Sequence, residues 1–222
     1  EYHESKNFND ISELISECII DKKNFNYIKY FISKGANINH QDINGNTALM
    51  IAAGKGYENR LKFLIKNGAN VNIQNNQGDT ALMIAAFNGN LFCLITLIDF
   101  NADISIRNGL GTTALIYASK RGHCKIVKKL ISLGDNINIQ HKFGNTPLME
   151  AIFNRHYDIA LELMIAGADL NIENNSKKTV FNFSKHRNFI IDKLVSDKNG
   201  KKVFDIDKYY KFISEWANQY KK

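Results

Sequence analysis

Gly45–Ala53 reads GNTALMIAA, and the same phrase returns as GDTALMIAA at Gly78–Ala86, GTTALIYAS at Gly111–Ser119 and GNTPLMEAI at Gly144–Ile152. Thr47, Thr80, Thr113, Thr146 and Thr179 are each separated by 33 residues. A fixed period of this size marks a solenoid, in which one small unit cannot bury its own apolar face and neighbours stack to form a continuous core.

Within each copy the glycine ends a polar turn, and the threonine two residues on is suited to cap a short helix. That helix carries small side chains, Ala52 and Ala53, Ala85 and Ala86, Ala118 and Ser119, and Ala151, which let neighbouring helices approach closely. A second turn at Gly56, Gly89 or Gly122 reverses the chain into a longer helix. Its apolar positions recur at helical spacing: Leu61, Leu64 and Ile65; Leu94, Leu97 and Ile98; Ile126, Val127, Leu130 and Ile131; Ile159, Leu163 and Met164. Each unit then closes in what reads as a short extended segment, such as Ala69–Asn72.

Working outward, residues 1–10 read as a flexible N-terminus and 11–39 as a capping repeat. In the latter, Ile11, Leu14, Ile15, Cys18 and Ile19 line one helix face after Asp10, and a second helix spans about Phe25 to Ser33 before Gly35. Residues 40–171 hold four full units. Residues 172–200 read as a degenerate last repeat, in which Ile190 and Ile191 arrive two residues early and Asp197–Gly200 forms a turn. A basic capping helix follows within 201–222, with Tyr209, Phe212, Ile213, Trp216 and Tyr220 on one face after Asp207.

Of the 222 residues 44% are apolar and the formal charge is +7, as for a globular protein. Residues 1–176 hold 17 Lys/Arg and 17 Asp/Glu while residues 177–222 hold 12 and 5, so the entire excess (12 − 5 = 7) lies in the tail. Cys18, Cys93 and Cys124 are odd in number and lack C-x-x-C spacing, which argues against a disulfide framework or zinc site and for a reducing, cytoplasmic compartment. No apolar run reaches the ~18 residues of a membrane span, and the first ten residues are too polar for a signal peptide. Abundant Asn, Ile and Lys with a single proline fit an AT-rich genome, such as a microbe or large DNA virus; host cytoplasm is then the alternative compartment. The chain opens on Glu1 rather than Met, consistent with a piece of a longer protein.

The pattern G-x-T-A/P-L-x-x-A-A, a glycine-centred turn, a second apolar helix and G-A-D/N-V/I-N resembles the ankyrin repeat, strongly over 40–171 and loosely over 11–200. The resemblance implies an all-α solenoid of helix-turn-helix units with β-turn or hairpin tips, capped at both ends. It also implies a non-catalytic module that binds another protein. The family's proline after threonine survives only as Pro147, and its histidine two residues further on is Met50, Met83, Ile116 and Met149 here, so these turns rely more on burial. Asn101 and Arg155 stand where glycines are expected.

Family contacts concentrate on the turn tips and the exposed end of the first helix. Carried across, these positions are Ile43, Asn44, Asn46, Gly54 and Lys55; Asn76, Gln77, Asp79, Phe87 and Asn88; Gly109, Leu110, Thr112, Lys120 and Arg121; Lys142, Phe143, Asn145, Phe153 and Asn154. Phe87 and Phe153 occupy equivalent positions, and apolar groups ringed by polar ones are what interface hot spots are made of.

No catalytic grouping is expected: His123 and Cys124 are adjacent and diverge on a helix, and His123 and His156 fall at the family's turn-histidine position. Acids such as Asp103 and Asp135 read as loop hydrogen-bonders that repeat with the solenoid. No cofactor, metal or small-molecule substrate is expected, and the chain is expected to be a monomer. A substrate-recruiting domain of a larger protein, such as a ubiquitin-ligase adaptor or host-directed effector, is the alternative reading. Binding of nucleic acid through the tail lysines is a further alternative, set against a solvated face diluted by Asp192, Asp197, Asp205, Asp207 and Glu215. The solvated reading predicts that retention on heparin is unchanged when residues 201–222 are deleted; salt-sensitive retention lost with the deletion would favour phosphate binding.

Overall fold

Thr47, Thr80, Thr113 and Thr146 have extended backbones, and each side-chain oxygen accepts the N–H three residues on, from Met50, Met83, Ile116 and Met149. This satisfies one of the unpaired donors that every helix start leaves. The computed structural model describes residues 25–182, 194–196 and 202–205. The expected helix over 11–20, the early apolar pair Ile190 and Ile191, the turn Asp197–Gly200 and the final helix after Asp207 lie outside the described residues.

Helix α1 (Phe25–Ser33) precedes four helix pairs: α2 (Ala48–Lys55) with α3 (Glu58–Lys66), α4 (Ala81–Asn88) with α5 (Leu91–Asp99), α6 (Ala114–Arg121) with α7 (Cys124–Ser132), and α8 (Pro147–Phe153) with α9 (Tyr157–Ile165). Pro147 opens α8, where its fixed φ and missing N–H cost nothing. A 3₁₀ turn, Val180–Asn182, buries Val180 against the end of the stack. After it come strands β1 (Leu194–Ser196) and β2 (Lys202–Phe204), paired antiparallel with Val195 opposite Val203. These short strands follow the array; the array itself is helical, as expected from the sequence.

The helices form two layers. The short helices α2, α4, α6 and α8 pack on one another more closely than α3, α5, α7 and α9 do. The alanines explain the difference: Ala52, Ala53, Ala85, Ala86, Ala118 and Ala151 are wholly buried between adjacent short helices. A stack tighter on one side curves toward it, so the short helices and turn tips line the concave side. Between the layers lies one continuous apolar core containing Leu49, Leu82, Leu115 and Leu148 from the short helices and Leu64, Leu97, Leu130 and Leu163 from the long ones. Each such leucine contributes about 1.5–3 kcal/mol by leaving water. Met50, Met83, Ile116 and Met149, which stand where the resemblance places histidine, are buried.

Register between units is set by polar ladders. The Gln41 amide donates to the Gly45 carbonyl of its own turn and to the Gln74 carbonyl one unit on. Gln74 repeats this with Gly78 and Arg107, and Gln140 with Gly144 and Glu173. Arg107, chemically different, makes the same two bonds with its guanidinium, to Gly111 and Gln140. At the tips the backbone N–H groups of Asn76, Gly109, Lys142 and Asn175 donate to the carbonyls of Asn44, Gln77, Leu110 and Phe143.

The segments expected to be extended, such as Ala69–Asn72, are turns instead. The Asn72 N–H donates to the Asn70 side chain, and Asn39, Ser105, Asn138 and Asn171 do likewise to Asn37, Asp103, Asn136 and Asp169. A side chain accepting from the backbone two residues on folds the chain back.

Left-handed backbone occurs where the turns require it. Asn101 (φ 61°) and Arg155 (φ 64°) take the glycine role without being glycine, as does Lys177 (φ 58°), aligned with Gly144. At Gly89 two constraints coincide: φ is 76°, and an added Cβ would lie 2.6 Å from the His123 ring. Gly89→Ala is therefore expected to lose about 2 kcal/mol or more in urea unfolding followed by circular dichroism. In a His123→Ala background, which lacks the ring and its bond to Phe87, the same glycine change should cost only the backbone share of about 1 kcal/mol; an unchanged midpoint for the Gly89→Ala single variant would contradict the packing.

Candidate functional site

The ladders decide which side chains on the concave side are occupied by the scaffold. Asn46, Asp79 and Asn145 were expected at a binding surface, yet all three are half-buried and bonded to the next unit. Asn75 donates to Asn46, Asn108 to Asp79 and Asn174 to Asn145. Thr112, at the equivalent place in the third unit, is only 7% exposed. Its backbone N–H and carbonyl are both taken by Asn108, so its short side chain sits under the turn rather than on it.

Other expected positions face solvent. Ile43 is 93% exposed, Phe153 64%, Phe143 61% and Leu110 49%, and Asn44, Lys55, Gln77, Asn88, Lys120, Arg121 and Lys142 are exposed. Asn76 is exposed but donates to the Ile43 carbonyl, and the Asn154 amide donates to the Glu150 carbonyl within its own helix. Gly54 is half-buried and Gly109 exposed.

Phe87 and Phe153, aligned in sequence, differ in setting. Phe87 retains 36% exposure because the third unit covers part of it: its ring meets Tyr117 edge-on at 5.3 Å, and the Arg121 guanidinium lies 4.5 Å above it. The Tyr117 hydroxyl is held by Asp79 and receives an N–H from Asn108. Burial, with Asp79 beside it, pushes the Tyr117 hydroxyl up to about 12, so it remains a neutral donor at physiological pH. Sequence alignment alone missed this cluster, whose parts come from two units; the aromatic at 117 beside Phe87 one unit earlier was the available signal.

Among the described residues, His141 and Glu150 superficially resemble an acid–base pair. Nε2 of His141 lies 2.9 Å from Glu150 Oε1, and both side chains are buried. Nδ1 accepts the Phe143 N–H, so the neutral ring carries its proton on Nε2 and donates it to the carboxylate. With both nitrogens engaged, neither faces a space where a reactant can sit. Burial works to raise the Glu150 carboxyl, but the bonds from His141 and Asn145, with Lys120 nearby, outweigh it and hold the group below the usual range.

The remaining candidates for chemistry are structural too. His123 and His156 bond the carbonyls of Phe87 and Lys120 in the preceding unit, as Asn90 does those of Ala53 and Gly54. Burial pushes the Cys93 thiol up to about 11 and also raises that of Cys124, which makes both weak nucleophiles. Among the described residues no group of His, Cys, Asp and Glu is arranged to hold a metal ion, and no helix is long and apolar enough to cross a membrane.

Asp103 behaves as expected, accepting from Ser105. Asp135 does not: it lies 32 residues on, not 33, and aligns with the buried alanines Ala36, Ala69, Ala102 and Ala168. One carboxylate oxygen accepts the Asn136 N–H at 2.7 Å, and the other is buried without a partner. In the other junctions Asn39, Asn72 and Asn138 supply the equivalent acceptor to Asn70, Asp103 and Asp169. Ser105 is too short to reach Asn136, and Asp135 takes over. Burial pushes its carboxyl up to about 6.

Repeated helix pairs, stacked in register, make this a helical-repeat solenoid. The family model described as ankyrin repeats (3 copies) matches residues 15–108 and 93–174, well over half of the 222 residues. The chain belongs to the ankyrin-repeat family, whose repeats are generally protein–protein interaction modules and typically non-catalytic. A comparison with curated proteins finds no match.

Asp135 supplies a test of the junction it occupies. A raised carboxyl binds its proton more tightly in the folded state, so folded stability falls as pH rises through about 4 to 6. Asp135→Ala removes this cost but also the bond to Asn136, and a net gain of about 1 kcal/mol is expected at pH 7. Urea unfolding should show that gain shrinking as pH falls toward 4; a gain independent of pH would disprove the assignment.

Proposed function

We propose that the chain is a non-catalytic module that docks one partner protein against the concave side of its solenoid, with Ile43, Leu110, Phe143 and Phe153 as apolar anchors and Phe87 at the margin of the site. The observation carrying this reading is the exposure of Leu110, Phe143 and Phe153 on a side where the scaffold's own polar groups are already bonded. Large apolar groups in solvent cost a protein solubility and are recovered when a partner covers them. The ladders make the surface preorganised, so little conformational entropy is lost on docking. Asn44, Lys55, Gln77, Asn88, Lys120, Arg121 and Lys142 form the polar rim. Asn46, Asp79, Thr112 and Asn145 serve the scaffold, and their effect on binding is indirect.

The division of labour that goes with this reading is a capping repeat over 11–39, four full units over 40–171, a degenerate unit over 172–200 and a closing segment beyond it, all acting as a monomer inside a cell. The test is affinity capture from native cell or host extract with the wild-type chain beside the Phe87→Ala/Phe153→Ala variant. A partner held by the first should be retained at least about tenfold less by the second, with equal helicity by circular dichroism. Equal capture by both would move the site away from this side.

A further inference from the structure

We infer that the partner of this surface is an acidic segment carrying apolar side chains, and that it docks on the third and fourth units; the inference rests on the interaction reading above. Two observations support it, and the first is the uneven chemistry of equivalent positions along the stack. At the turn tips the residues run Asn44, Gln77, Leu110 and Phe143 from the first unit to the fourth. At the end of the short helix they run Gly54, Phe87, Lys120 and Phe153. Three of the four exposed anchors, Leu110, Phe143 and Phe153, thus lie on the third and fourth units, each about half exposed or more, while Ile43 stands on the first. Phe87, the nearest aromatic of the second unit, is already covered by Tyr117 and Arg121 of the third and extends the same cluster.

The second observation is charge. Lys120, Arg121 and Lys142 are exposed among those anchors. Between residues 41 and 154 the acids on the tips and short helices are Asp42, Asp79 and Glu150, and all three are turned into the scaffold. Asp42 accepts the N–H groups of Asn44 and Asn46, Asp79 is held by Asn108 and Tyr117, and Glu150 by His141 and Asn145. Among the described residues no ion pair joins Lys120, Arg121 or Lys142 to a carboxylate, and the Lys120 charge that helps lower Glu150 acts on a group already bonded within the scaffold. The long-helix layer is different: it mixes both signs and pairs them, as in Lys62 with Glu58 and Lys128 with Glu162. A cationic surface interspersed with apolar anchors is complementary to carboxylates interspersed with apolar side chains. A nucleic-acid strand fits less well, since its regular phosphates call for a continuous basic track, whereas here Leu110, Phe143 and Phe153 interrupt the cations.

The test is selection of random peptides of about 16 residues, displayed on phage, against the full chain, followed by anisotropy with the strongest synthetic binder. The inference expects recovered sequences with more Asp and Glu than Lys and Arg, together with Leu or aromatic residues. Lys120→Glu/Lys142→Glu should weaken the binder by about tenfold or more, while Lys55→Glu in the first unit should change it by less than about twofold. Neutral or basic binders that are lost with Phe87→Ala/Phe153→Ala would overturn the acidic inference and leave the concave site standing. Binders indifferent to both double variants would overturn both. An empty selection, or a single-stranded oligothymidylate that binds in a salt-sensitive way lost on the charge reversal, would overturn the acidic inference as well.

Discussion

The structure depends on a hydrogen bond that spans one repeat: a side chain at the base of each turn closes its own loop and donates to the corresponding carbonyl of the next unit. Gln41, Gln74, Arg107 and Gln140 all do this. Burial of leucine between the two helix layers supplies the larger free energy, yet it is tolerant of sliding, since apolar contact has no direction. The ladder is directional, and each bond adds only about 1 kcal/mol. Its effect is to choose one register among several that would bury similar area. The backbone bonds between tips, from Asn76 to Asn44 and onward, become possible once that register is taken.

This division of roles shapes the surface. Polar groups near the turns are consumed by neighbours: Asn46, Asp79 and Asn145 accept from the following unit, and His123, His156 and Asn90 reach back to the preceding one. What is left facing solvent is largely what the scaffold does not need, and it is there that large apolar side chains and cations gather. The same logic accounts for the setting of His141 and the thiols among the described residues. A histidine with both nitrogens engaged and thiols raised by burial are parts of a packing scheme.

Much of the architecture was legible because the repeat enforces it. Thr47 and its successors announced the helix starts, Gly56, Gly89 and Gly122 the reversals, and the spacing of Leu61, Leu64 and their equivalents the long helices. The misreadings arose where a residue's role is fixed by the next unit rather than its own. Phe87 and Phe153 align, but Tyr117 and Arg121 cover the former. Thr112 aligns with Asn46 and Asn145, but its shorter side chain sinks beneath the turn. Asp135 looked like Asp103 because both are loop acids; counting places it in an alanine slot, where it substitutes for the reach that Ser105 lacks. Arg107 hides among glutamines because an amide and a guanidinium can present N–H groups to the same two carbonyls.

The ladder also bears on how such a chain can change length. A bond between residues one full unit apart measures the chain against itself, so adding or losing a single residue inside a turn would set each donor opposite the wrong carbonyl at that junction. Removing or duplicating an entire unit keeps every rung matched and alters only how far the surface extends. Gene-level duplication is thus the mutation this architecture absorbs most easily, whereas small frame-preserving insertions are confined to places the rungs do not span. The register that holds the protein together thereby acts as a ruler on its evolution.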